Sequence, residues 1–234
     1  MCNTLLEKII DVDKFPADVI CPSEFIYKAF FDLPRKRNLF LSKLLAPFRF
    51  QKRYYDAVNL LPYCENCPAL LTEIKNATGD TLIFSGQEFY DFPRSFFRKI
   101  IKPSDQVKKR AEEILQSNIP DFSIQIRRTD HSNAIENSPL EEFVKVINQN
   151  ADKTFFLATD DIKTKQIISE SFTSRAVINP READRNSQGG LIDVMAEILI
   201  MSQTERIYAS YGSSFPEVAS WLGNIPITVC RKKA

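Results

Sequence analysis

The chain has 234 residues, of which 44% are apolar and 26% charged, with a formal net charge of +1. This is the composition of an ordinary globular protein, long enough to bury roughly 70–75% of its unfolded surface without disulfides or a structural metal, and it excludes a disordered or fibrous chain. Charges interrupt every apolar stretch before the ~20 residues of a membrane span, and Met1 is not followed by a basic segment and an apolar signal core. A cytoplasmic protein with no transmembrane segment is expected. Basic and acidic residues nearly balance in both parts of the chain, 18 against 15 up to residue 120 and 13 against 15 beyond it, so no general nucleic-acid binder is expected.

Residues 1–120 are rich in Phe, Tyr and Pro and read as a helix-rich N-terminal region with irregular connections. The first glycine is Gly79, which removes any Gly-rich phosphate loop from the first 78 residues. Five scattered cysteines include one close pair, Cys64 and Cys67. With no second pair and a single histidine, His131, to complete four ligands, free thiols and no metal site are expected. Arg94, Arg98, Lys99, Lys102, Lys108, Lys109 and Arg110 form a basic run that reads as a solvated face. Pro103-Ser104-Asp105 caps a charged helix over 106–116 that leads into the next domain.

Residues 121–234 change rhythm to short apolar runs alternating with capped amphipathic segments, the pattern of a parallel α/β sheet. Strands are predicted at 123–126, 155–158, 176–178, 206–210 and 225–229. Ser138-Pro139-Leu140-Glu141 reads as a capping box, and Ser214-Phe215-Pro216-Glu217 repeats it before a helix stopped by Gly223. Asp160 or Asp161 caps the helix after the second strand, and a helix over 191–202 turns Leu191, Val194, Met195 and Ile198 inward. The fold class is α/β, with a Rossmann-like C-terminal domain and a smaller N-terminal region.

In such a sheet, ligands sit beyond the carboxyl ends of the strands. There the sequence places Arg127 and Arg128 with Thr129 and Asp130, then Thr159, Asp160 and Asp161, then Tyr211, Gly212, Ser213 and Ser214. Paired guanidinium forks suit a phosphate, and a Gly-Ser-Ser turn opening a helix adds backbone N–H groups and the positive end of a dipole. Together they describe a diphosphate clamp. Asp193 and Glu197, one turn apart on one helix, read either as a solvated face or as acceptors for the N1–H and amine of a guanine.

Ile126-Arg127-Arg128-Thr129-Asp130, Leu157-Ala158-Thr159-Asp160-Asp161, Ser202-Gln203 and Gly212-Ser213-Ser214-Phe215 resemble, in order and spacing, the donor-binding domain of the α1,6-fucosyltransferase and protein O-fucosyltransferase superfamily. The resemblance covers about residues 120–225. It implies a GT-B architecture, inverting transfer from GDP-fucose and no catalytic metal. By position it implies that Arg127 stabilises the departing GDP, Ser213 and Ser214 meet the phosphates, Glu197 binds guanine, Arg185 contributes from the preceding loop, and Glu136 is the base. Arg128, Asp160, Asp193, Gly212 and Phe215 complete the expected donor site. The chain departs from the family at Gln125, where a histidine is usual, and in having no Gly-Asn-Arg loop near its start.

The sequence therefore predicts a metal-independent glycosyltransferase that moves a sugar, fucose by resemblance, from a GDP-sugar donor to a glycan acceptor. It needs no bound cofactor beyond that donor. The alternative is a non-catalytic GDP-sugar- or glycan-binding module. Residues 1–120 would form the acceptor side and 121–234 the donor domain.

Overall fold

The computed structural model describes residues 8, 10–11, 45, 47–55, 68–84, 93–116, 118–129, 131–182, 184 and 187–232. They fall into two compact units, one formed by residues 20–93 and the other by residues 1–19 with 94–234. In the smaller unit, strand β1 (Lys52–Tyr55) pairs in parallel with β2 (Thr81–Phe84), with helix α1 (Pro68–Lys75) between them in sequence. Gln51 secures the turn before β2, its Oε1 accepting the backbone N–H groups of Thr78 and Gly79 at 3.0 Å each.

In the larger unit, the stretch from residue 94 opens with α2 (Arg94–Ile100) and α3 (Asp105–Leu115). Ser104 caps α3 as its sequence predicts, its Oγ accepting from Val107 N, and the same hydroxyl donates to the Lys8 carbonyl. Val107, Ala111 and Ile114 then give α3 a buried stripe. Five strands follow: β3 (Phe122–Ile126), β4 (Phe155–Thr159), β5 (Ala176–Ile178), β6 (Ile207–Ala209) and β7 (Ile227–Val229). They pair in parallel in the order β5-β4-β3-β6-β7. The helices between them are α4 (Ser132–Asn137), α5 (Leu140–Gln149), α6 (Ile162–Ser171), α7 (Gln188–Met201) and α8 (Ser214–Gly223).

All five residues of β3 and all five of β4 are buried, as befits central strands covered on both faces. Alternation splits their side chains between two cores. Phe122, Ile124, Ile126, Phe155 and Leu157 pack with Phe143 and Ile147 of α5 and Ile168 of α6. Phe156, Ala158, Ile207 and Ala209 pack with α3, α7 and α8. Ser123 and Gln125 occupy the β3 positions facing this second layer, because successive strand residues point to opposite sides. Ser123 shares its hydroxyl with that of Thr204 at 3.1 Å.

Three local expectations change. Ser138 does not cap α5; its buried hydroxyl accepts the Tyr211 N–H at 2.9 Å, tying the α4–α5 junction to the turn after β6. The N-cap of α8 is Ser213 rather than Ser214, with no hydroxyl–backbone cap bond. The left-handed residue that ends α8 is Asn224 (φ 57°), while Gly223 serves close approach: a Cβ there would lie 1.9 Å from the Ser202 carbonyl oxygen.

Candidate functional site

The strand order reverses direction at β3, whose neighbours β4 and β6 lead to opposite edges of the sheet, and this switch point leaves a crevice at the strands' carboxyl ends. A cavity of about 430 Å³ lies there. Gln125 and Arg127 reach it from β3, Ala158, Thr159 and Asp160 from β4, Ser214, Phe215 and Val218 from α8, and Leu191, Val194, Glu197 and Ile198 from α7. Arg127 and the first turn of α8 thus share one cavity.

The loop after β3 is organised by Asp160. Its Oδ1 accepts the Arg128 N–H at 2.8 Å, its Oδ2 accepts the Thr129 hydroxyl at 2.7 Å, and Arg127 Nε lies 3.2 Å from the same Oδ2. The Arg127 backbone N–H donates to Ser210 Oγ at 3.0 Å. Anchored at both backbone and side chain, the Arg127 guanidinium is held at the mouth of β3. Asp161, not Asp160, caps α6: Thr164 donates both its N–H and its hydroxyl to Asp161 Oδ2, and these bonds hold that carboxyl below the usual range.

Arg128 does not reach the cavity. Its guanidinium donates to the carbonyls of Ser138 (2.9 Å) and Ile135 (3.4 Å), so it staples the loop through α4, and burial lowers its pKa. Glu136 stands exposed on α4, away from the cavity wall. Gly212 has φ +66°, a conformation that side chains rarely adopt, and a Cβ there would meet His131 Cε1 at 3.4 Å. His131 Nδ1 in turn caps α4 by accepting from Ala134 N at 3.0 Å. Arg185 lies outside the described residues, as do Cys64 and Cys67. The described thiol, Cys230, is buried, and its pKa is pushed up to about 12.

Asp193 and Glu197 are not on a solvated face. Asp193 is buried and accepts from Arg110 Nε of α3, with Arg181 also 3.4 Å away. This corrects the reading of Arg110 as part of a solvated run, since its side chain is only 11% exposed. Glu197 turns to the cavity. Asn179, the residue after β5, donates from Nδ2 to Glu197 Oε1 at 3.0 Å. Burial is the main cause that pushes the Glu197 carboxyl up to about 7, and the like charge of Asp193 adds to it, while Asn179, Lys165 and Arg110 pull the other way.

Gln125 is the residue whose chemistry the sequence left open. It is 4% exposed, lines the cavity, and its Oε1 has no hydrogen-bond partner among the described residues. A buried acceptor without a donor costs about 1–3 kcal/mol, so a ligand N–H or O–H is favoured there. The strand-end rule also reaches Asn179, which follows β5, whereas no local pattern marks Arg110. Among the described residues, no three His, Cys, Asp or Glu side chains converge to hold a metal ion, and no helix is long and apolar enough to cross a membrane.

The fold is that of the GT-B fucosyltransferases. Arabidopsis thaliana FUT1, in a variant solved with GDP, matches at TM-score 0.50 and 14% identity, over 79% of this chain and 52% of that one. Apo POFUT1 matches at TM-score 0.44 and 14% identity, over 65% and 54% of the two chains. NodZ α-1,6-fucosyltransferase co-crystallised with GDP matches at 0.46 and 16%, over 64% and 55%. The chain thus spans about half the length of these three proteins. No protein-family model matches the sequence. No curated protein matches it by sequence.

Proposed function

We propose that this cavity binds a GDP-sugar, with fucose as the sugar suggested by the resemblance, and that the chain transfers that sugar to a glycan hydroxyl with inversion and without a metal. The observation that carries the proposal is the placement of Arg127 and Ser214 on one cavity at the sheet's switch point. A diphosphate between them would meet a guanidinium fork on one side and the free N–H groups of a helix start on the other. On the same cavity, Glu197 and Gln125 offer acceptors, matching the N1–H and amine of guanine; adenine would leave such an acceptor unpaired. FUT1, whose structure contains GDP, shares the fold.

In this mechanism the bond from the sugar's anomeric carbon to the β-phosphate oxygen breaks while the acceptor oxygen bonds to that carbon from the opposite face. The electron pair leaves with GDP. Arg127 and the first turn of α8 neutralise the charge that grows on the leaving phosphate, the type of contribution worth about 2.7–4 kcal/mol of barrier per donor. The acceptor proton needs a base, and Glu136 stands outside the cavity wall. That placement favours the second reading, a module that binds the GDP-sugar without transferring it.

Calorimetric titration with GDP and ADP tests binding. GDP is expected to bind at least tenfold more tightly than ADP, and Arg127→Ala to abolish the difference from buffer. Wild-type affinity for GDP in a folded Arg127→Ala protein would overturn the assignment. Turnover of GDP-fucose over a panel of glycan acceptors separates the enzyme from the binding module, the latter giving binding without product.

A further inference from the structure

Asn179 is buried to 2% exposure at the carboxyl end of edge strand β5, and its side-chain Oδ1 and Nδ2 and its backbone carbonyl all have partners. Its Oδ1 accepts from Arg110 Nη2 at 2.9 Å and from the Arg181 N–H at 3.2 Å. Its backbone carbonyl accepts from Lys165 Nζ at 3.0 Å, and the same ammonium donates to the Arg181 carbonyl. Two donors on Oδ1 leave the side-chain amide one orientation, with Nδ2 directed at Glu197 Oε1.

We propose that Asn179 is the positioning residue of this cavity, holding one oxygen of Glu197 so that the carboxyl stands at the cavity wall as an acceptor. The inference rests on Glu197 serving the ligand, as proposed above. Arg110 is central to it in two ways. It neutralises Asp193, the like charge that opposes the Glu197 carboxylate, and it holds the amide that meets Glu197. One cation from α3 therefore organises an acid on α7 through a residue that follows β5.

The charges acting on Glu197 are Lys165 from α6, Asp193 on its own helix and Arg110 from α3, and Arg127 and Asp160 line the same cavity. Lys165 and Arg110 stabilise the carboxylate, Asp193 opposes it, and burial opposes it most. The Asn179 amide supplies the neutral donor that favours the charged form. Losing it leaves the carboxyl protonated to higher pH, whatever ligand the cavity takes.

The test is a carbon-13 titration of the side-chain carboxyl of Glu197 in the unliganded full chain, the resonance assigned by its loss in Glu197→Gln. In Asn179→Asp the oxygen facing Arg110 and Arg181 is kept while the donor facing Glu197 becomes an anion. The Glu197 midpoint is expected to rise by about one pH unit or more, with a smaller rise in Asn179→Ala. GDP affinity at pH 7 is expected to fall about fivefold in Asn179→Asp, since raising a midpoint near 7 by one pH unit lowers the ionised fraction at pH 7 from about one half to about one tenth. An unchanged Glu197 midpoint in folded Asn179→Asp overturns the inference. A shifted midpoint in a protein that binds no GDP supports Asn179 as the positioning residue and overturns the proposed ligand instead.

Discussion

Arg127 Nε and Asp160 Oδ2 lie 3.2 Å apart across the ends of two adjacent parallel strands, and both side chains are largely buried at 20% and 10% exposure. Asp160 thereby fixes the guanidinium on which the proposed diphosphate site depends, while its two oxygens also accept from Arg128 N and Thr129 Oγ1.

Asp160→Ala should therefore act on stability and binding together. It removes one partner of the half-buried Arg127 guanidinium and strands the Arg128 N–H, and leaving such a donor unpaired costs about 1–3 kcal/mol. Asp160→Asn keeps one of the two acceptor oxygens and should cost less than the alanine. Urea denaturation measures the first effect, and GDP titration of the asparagine variant should show weaker binding at unchanged fold. Equal urea midpoints for wild type and Asp160→Ala would contradict the role given to this carboxylate.

Glu197 predicts a pH dependence with a definite sign. Its carboxyl titrates near 7 in the folded chain against an ordinary value of 4.5, so the folded state holds the extra proton between those values. Stability contributed by this group is full below about 4.5, falls as pH rises through that window, and is lost above 7, a loss of about 3 kcal/mol at full effect. Glu197→Gln should remove this slope, so that its melting temperature exceeds wild type at pH 8 and converges with it at pH 5. GDP affinity, which requires the carboxylate, should rise from pH 6 to 8 in wild type and stay flat in the glutamine variant.

Arg110→Met tests the pair that the helix pattern concealed. Arg110 and Asp193 have side chains 11% and 9% exposed, and removing Arg110 leaves the buried anion facing the more exposed Arg181 at 3.4 Å. A loss of about 3–5 kcal/mol is expected. The double variant Arg110→Met with Asp193→Leu should recover much of it, because a buried ion pair replaced by apolar groups is often neutral. Chemical denaturation of the four proteins completes the cycle.

Two glycines on neighbouring helices should respond oppositely to alanine. At Gly223 the added methyl meets the Ser202 carbonyl oxygen at 1.9 Å, so α7 and α8 must separate, at a cost of about 1–3 kcal/mol. At Gly189, in the first turn of α7, nothing lies within 4 Å of the added atom, and helix propensity favours alanine by about 0.5–1 kcal/mol. Thermal melts of the two variants should move in opposite directions.

The chain order of strands and helices from residue 121 is legible in the sequence because alternation and capping are properties of neighbours. The apolar run at 176–178 is the whole of β5, and the run at 155–158 is β4 without its last residue, Thr159. The strand-end rule likewise located Arg127 and the turn before α8, since a parallel sheet places all its carboxyl ends on one rim. Side-chain partners are a different matter. Ser138 has the spacing of a helix cap, yet Tyr211, 73 residues away, takes its hydroxyl. Asp193 and Glu197 share a helix face, and spacing treats them alike. Arg110, 83 residues before Asp193, claims that carboxylate and leaves Glu197 to Asn179 and the cavity. Local sequence determines which backbone conformation is cheap. Only packing of distant segments decides which buried donor meets which acceptor, because that choice is made by the cost of leaving a polar group unpaired once water has gone.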